Sequence, residues 1–132
     1  MDLLTQVVLM FSLLFFKHFV FDFLLQVAYH YKNKGKYGHP GGLCHAGAHT
    51  IASFLLLSPF FGASALLYVL CVGEGLAHYH LDWAKMKINT TFGWSSTNSE
   101  KFWWMVGLDQ FAHYMTYAAM TFVYFRYFSY FA

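Results

Sequence analysis

Glu74-Gly75-Leu76-Ala77-His78-Tyr79-His80-Leu81-Asp82 repeats an ionisable side chain every four residues: Glu74, His78 and Asp82. On a helix these three stand one above another on a single face. They close an apolar run that starts near Phe60. Two carboxylates and an imidazole at the end of a hydrophobic helix are expensive unless other groups pair with them. Three more segments offer partners at the same spacing: His18 and Asp22, His45 and His49, Asp109 and His113. Four helices with a polar ladder on one face each are therefore expected, with the ladders meeting in a common interior.

The composition fixes the setting. The chain has 132 residues, of which 58% are hydrophobic and 11% charged, and its mean hydropathy is +0.42. Soluble domains carry about 25% charged residues, so a membrane protein of one domain is expected. Sixteen Phe, ten Tyr and four Trp suit lipid contact and interfacial belts. A net charge of +2 without interleaved basic and aromatic residues excludes nucleic acid as a partner. Cys44 and Cys71 form no CxxC pair and read as small hydrophobes. Met1-Asp2-Leu3-Leu4 lacks a basic leader region and reads as a retained membrane segment.

Along the chain, the pattern predicts helices over about 3–29, 43–57, 63–84 and 101–130. The first carries Lys17, which either snorkels or pairs with a carboxylate; Gln26 continues the line of His18 and Asp22. His30 to Gly42 holds three lysines, four glycines and a proline and reads as a loop. Ser58-Pro59 reads as a helix stop. Lys85 to Glu100 reads as a second hydrophilic loop, and Ser99 as the cap of the last helix. Lysines in both hydrophilic loops put those loops in the cytoplasm. The expected fold is all-α: an integral membrane four-helix bundle with four transmembrane helices and both termini outside. All four ladders then fall within about 15 Å of the inner boundary, at 1.5 Å per residue. Random polar residues in four helices would scatter in depth.

The ladders hold imidazoles and carboxylates with no thiolate, a set that suits zinc, iron, manganese or nickel, built as bundle cores build metal sites. His45-Ala46-Gly47-Ala48-His49 has the two histidines of a zincin-like helix without the glutamate of HExxH. His18, Asp22, His45, His49, His78, Asp82 and His113 are the candidate metal ligands, some of them orienting others. Glu74 and Asp109 are the candidate acid–base groups. The competing reading is a metal-free polar network that fixes helix register. His30, His39 and His80 read as loop, interface or off-face residues. Lys85 reads either as a contact to lipid phosphate or as a marker of the inner surface.

These residues resemble a known family, the bacterial and phage membrane proteins grouped as domain of unknown function 3307. The resemblance rests on His18-Phe-Val-Phe-Asp22-Phe-Leu-Leu-Gln26, His45-Ala-Gly-Ala-His49, the run Glu74 to Asp82 with Lys85, and Asp109-Gln-Phe-Ala-His113. It implies the inner membrane of a bacterium and no defined activity. A weaker likeness, to inner-membrane proteins described as metal-dependent hydrolases, implies hydrolysis. The expected function is thus a zinc-dependent hydrolase acting on a lipid or membrane-associated ester or phosphoester, with membrane lipids as partners. A metal-ion or proton channel or carrier is a second expectation, which apolar outer helix halves confine to a homo-oligomer. A non-enzymatic interaction protein with a structural polar core is the third.

Overall fold

The computed structural model describes residues 1–62 and 64–131, and these are all-helical, with no strand among them. Five α-helices follow in order: α1 (Leu3–Phe19), α2 (Ala28–Asn33), α3 (Pro40–Phe61), α4 (Ala65–Phe92) and α5 (Glu100–Phe131). A π-helical turn, Val20–Leu24, continues α1. Around the ring of long helices, α1 packs on α3 and α5, and α4 packs on α3 and α5, while α2 lies against α3. Successive long helices run in opposite directions. The start of α1, the end of α3, the start of α4 and the end of α5 share one apolar core, built on Met10, Leu14, Leu57, Phe61, Leu67, Cys71, Tyr117, Met120 and Tyr124.

The first helix stops at Leu24, short of the expected Tyr29. Leu25 N–H bonds the Val20 carbonyl at 2.9 Å, the wide bond of a π turn, and the Gln26 amide takes the Asp22 carbonyl at 2.9 Å. With that carbonyl met by a side chain, the backbone leaves the helix, and Val27 is extended. Chain expected as loop then forms α2.

Helix α3 begins three residues before the expected Leu43. The His39 ring accepts the Gly41 N–H at 3.0 Å as its cap, and Pro40 fills the first position, where no N–H is needed. Nor does Pro59 stop it. Proline leaves the Leu55 carbonyl without its helical donor, and the Ser58 hydroxyl donates to that carbonyl at 3.1 Å, so α3 runs on to Phe61. The expected start of the next helix, Ala63, lies outside the described residues.

Helix α4 passes through Lys85 and Lys87, expected as loop, because polarity alone does not break a helix. It ends at Gly93 (φ 66°). There Trp94 N–H reaches the Asn89 carbonyl and Gly93 N–H the Thr90 carbonyl, the paired bonds of a Schellman ending that glycine adopts without strain. Where α3 meets α4, a Cβ on Gly75 would stand 2.0 Å from Thr50 Oγ1, so glycine sets that close approach. Helix α5 starts one residue before the expected Lys101, with Ser99 Oγ accepting the Lys101 N–H at 3.3 Å.

Two segments, Leu3–Leu24 and Pro40–Phe61, are long and apolar enough to cross a membrane. The outward faces of the long helices carry Leu4, Phe16, Ile51, Leu55, Val69, Leu76, Trp104, Leu108 and Phe122, all exposed.

Candidate metal centre

Each ladder faces the interior of the ring from its own helix. His18 comes from α1, Asp22 from the π turn, His45 and His49 from α3, His78 and Asp82 from α4, and Asp109 and His113 from α5. All eight side chains are nearly or fully inaccessible, none more than 4% exposed.

Asp22 Oδ1 is the focus. His45 Nε2 and His49 Nε2 each lie 3.0 Å from it, and His78 Nε2 lies 3.6 Å away. His45 and His78 bring their Nε2 atoms to 3.2 Å from one another. A tetrahedral ion with bonds near 2.05 Å spaces its ligand atoms about 3.3 Å apart, and these separations straddle that value. Two imidazole nitrogens this close hydrogen-bond only if one carries a proton and the other does not, whereas both lone pairs can face one cation. Two further sets also fall within 4.8 Å: Asp22, His78, Asp82 and His113, and His18, His78 and His113. Asp22 and His78 recur, so the sets overlap in one space.

Several interior atoms have no hydrogen-bond partner among the described residues: Asp82 Oδ2, Asp109 Oδ1, His113 Nε2, and Nδ1 of His49 and His78. Buried polar atoms left so are costly, by about 1–3 kcal/mol each. Asp82 Oδ2 sits 3.4 Å from His45 Nε2 and 3.5 Å from His78 Nε2. Asp109 Oδ1 sits 3.5 Å from His113 Nε2. Asp82 and His113 fall in one of the ligand sets, with Asp82 Oδ1 4.0 Å from His113 Nε2.

Two expected site residues are placed differently from the rest. Both ring nitrogens of His18 are engaged, Nδ1 with the Tyr117 hydroxyl and Nε2 with Gln110 Oε1, each at 3.0 Å. Its Nε2 is also 3.3 Å from Asp22 Oδ2, which suits holding Asp22 in place. Glu74, like Asp109, belongs to none of the ligand sets, but its oxygens are taken up elsewhere. Lys17 Nζ donates to its Oε1 at 2.8 Å, the Ser53 hydroxyl to its Oε2 at 2.9 Å, and Tyr117 lies at 3.4 Å. Lys17 also reaches Ser53 at 2.9 Å. Lys17 therefore pairs rather than snorkels, and both Glu74 oxygens are committed to Lys17, Ser53 and Tyr117. Sequence reasoning passed over Ser53 and Tyr117, although each extends its helix's ladder by one more step of four, after His49 and after His113.

A second cationic layer lies on the other side. Lys34 Nζ donates to Asp82 Oδ1 at 2.9 Å, and Lys85 Nζ to Asp82 Oδ1 at 3.3 Å and Asp109 Oδ2 at 2.8 Å. Asp82 thus presents one oxygen to lysines and the other to imidazoles. Lys34 carried no sequence signal, since its partner is 48 residues away. His39 caps α3, and His80 bonds the Leu76 carbonyl at 2.7 Å on the exposed face.

No curated protein and no solved structure matches the chain. Residues 10–131 match the profile of the family described as "Protein of unknown function (DUF3307)". That span takes in all four ladders, and the chain belongs to this family.

Proposed function

We propose that this chain is an integral protein of the bacterial inner membrane, a four-helix bundle whose α1, α3, α4 and α5 all span it, with both termini outside. Its polar interior holds zinc and hydrolyses a lipid or membrane-associated ester or phosphoester at the cytoplasmic leaflet. The observation that carries the metal reading is the convergence of Asp22 Oδ1 with Nε2 of His45, His49 and His78 at tetrahedral spacing.

Spanning by α4 and α5 is supported by where their polar groups face. Glu74, Asp82 and Asp109 pair inside the ring with lysines, while Val69, Leu76, Leu108 and Phe122 point outward. Charges paired in a protein interior do not meet lipid. Apolar patches of this extent on every long helix are a liability in water.

A bound zinc ion supplies Lewis acidity and acidifies a water molecule. Three of Asp22, His45, His49 and His78 would hold the ion, since a zinc site that activates water keeps one position open, and His18 fixes Asp22. Asp109 Oδ1, without a hydrogen-bond partner, is the oxygen free to take a proton from that water, in preference to Glu74. From His18, hydrogen bonds run through Tyr117 and Glu74 to Lys17, a path for protons whose last member bonds only Glu74 and Ser53 among the described residues. That blind end favours an enzyme over a conduit.

The test is elemental analysis of the protein purified in mild detergent, beside a His45→Ala, His49→Ala double variant. About one equivalent of zinc is expected in the wild type, lost in a variant that keeps its helical circular dichroism. A wild type that carries no transition metal and gains no thermal stability from added zinc would leave a register-setting polar network instead.

A further inference from the structure

We propose that the cavity beside Asp22 is a binding site for a phosphoryl group, on a lipid or free. This deepens the metal reading above and rests on it. The cavity has a volume of about 280 Å³ and is lined by Asp22, Gln26, Lys34, Lys85, Asn89 and Gln110 among its polar residues. Here one member of the metal set, Asp22, shares a space with both lysines of the second layer and with Asn89.

The donors are available. An ammonium group has three N–H bonds. Lys34 gives one to Asp82, and Lys85 gives two, to Asp82 and Asp109. Among the described residues Lys34 therefore retains two and Lys85 one. Asn89 is buried, and its Oδ1 has no hydrogen-bond partner among the described residues. Its amide offers an acceptor to a P–OH and donors to P–O oxygens.

The charge fits an anion once a cation is in place. Asp22, Asp82 and Asp109 against Lys34 and Lys85 leave one negative charge. A divalent ion turns that into one positive charge, which a phosphate group of charge −1 to −2 at neutral pH complements. A phosphoryl group also has enough oxygens to meet the ion, Lys34 and Lys85 together, which a carboxylate with two does not. The rim is apolar: Phe23 is 58% and Tyr31 46% exposed, and both line the cavity with Phe102. A headgroup inside and hydrocarbon against the rim is the arrangement a phospholipid would take.

The experiment titrates the zinc-loaded protein with inorganic phosphate in detergent and, in a second arm, with phosphatidic acid in phosphatidylcholine nanodiscs, by calorimetry. Lys34→Gln and Asn89→Leu are compared, with metal content measured on every sample. Expected is saturable binding by wild type, weakened at least tenfold in each variant at unchanged metal content. Saturation by phosphatidic acid alone assigns the group to a lipid; saturation by phosphate alone assigns it to a soluble ligand. A zinc-loaded wild type that binds neither probe, or variants that bind as wild type does, overturns the phosphoryl site and leaves the metal centre standing. A wild type that takes up no metal overturns the metal reading, and this proposal with it.

Discussion

The two halves of the helix ring are held together differently. In one, Met10, Leu14, Leu57, Leu67, Tyr117 and Tyr124 fill the interior, and what matters is volume and shape. In the other, ionisable side chains and imidazoles from all four long helices and the π turn meet, and their neighbours must be of the right kind at the right distance. Buried ion pairs add little stability over well-packed apolar side chains of similar volume. Removing one partner of such a pair leaves an uncompensated buried charge, so the polar half depends on each of its members. Lys17, Ser53, Glu74 and Tyr117 form the seam between the halves: a hydrogen-bonded set beside the apolar core, joined to His18 through the Tyr117 hydroxyl.

Three substitutions test that division. Asp22→Ala acts at the centre of the polar half, where one oxygen faces three imidazoles. Zinc affinity is expected to fall by about a hundredfold or more, read by competition with a chromogenic chelator. Wild-type affinity in this variant would remove Asp22 from the ligand set. Glu74→Gln acts at the seam. It leaves the Lys17 ammonium, 1% exposed, without a counter-charge, and a loss of about 3–5 kcal/mol of stability is expected. Adding Lys17→Met should recover most of it, while zinc content stays unchanged in both. If zinc disappears with Glu74, the seam belongs to the metal centre after all. Leu14→Ala acts in the apolar half, at a side chain fully buried. Detergent unfolding should show a loss of about 2 kcal/mol, at the low end for a Leu→Ala cavity, with full zinc content. Loss of the metal from that variant would mean the halves do not behave separately.

The ladders were legible because a helix's face repeats at nearly four residues, and ionisable groups in an apolar run stand out against it. His18, Asp22, His45, His49, His78, Asp82, Asp109 and His113 all face one interior for that reason. The membership of the family was legible from the same residues. Less could be read where partners are distant in sequence. Lys34 looked like a loop lysine because Asp82 meets it only in the folded chain, and Glu74 looked like a base because its pairing with Lys17 spans 57 residues. Helix ends were misread where a side chain replaces a backbone bond: Gln26 at the end of the π turn, Ser58 ahead of Pro59, His39 before Pro40. At Ser58 and His39 composition signals a break or a loop where the side-chain bond sustains or starts a helix, and at Gln26 the pattern signals a continuing helix where the side-chain bond accompanies its end.

The π turn at Val20–Leu24 makes chain length itself a determinant of the site. A regular helix sets each residue about 100° from the last, and a wider turn accommodates residues that a regular one would rotate onward. His18 lies before this widening and Asp22 within it. The carboxylate that meets three imidazoles thus depends on how many residues separate it from Lys17 and His18 as much as on being an aspartate. Relatives that changed that count by one would keep every ligand in their sequence and yet turn this one away from its partners.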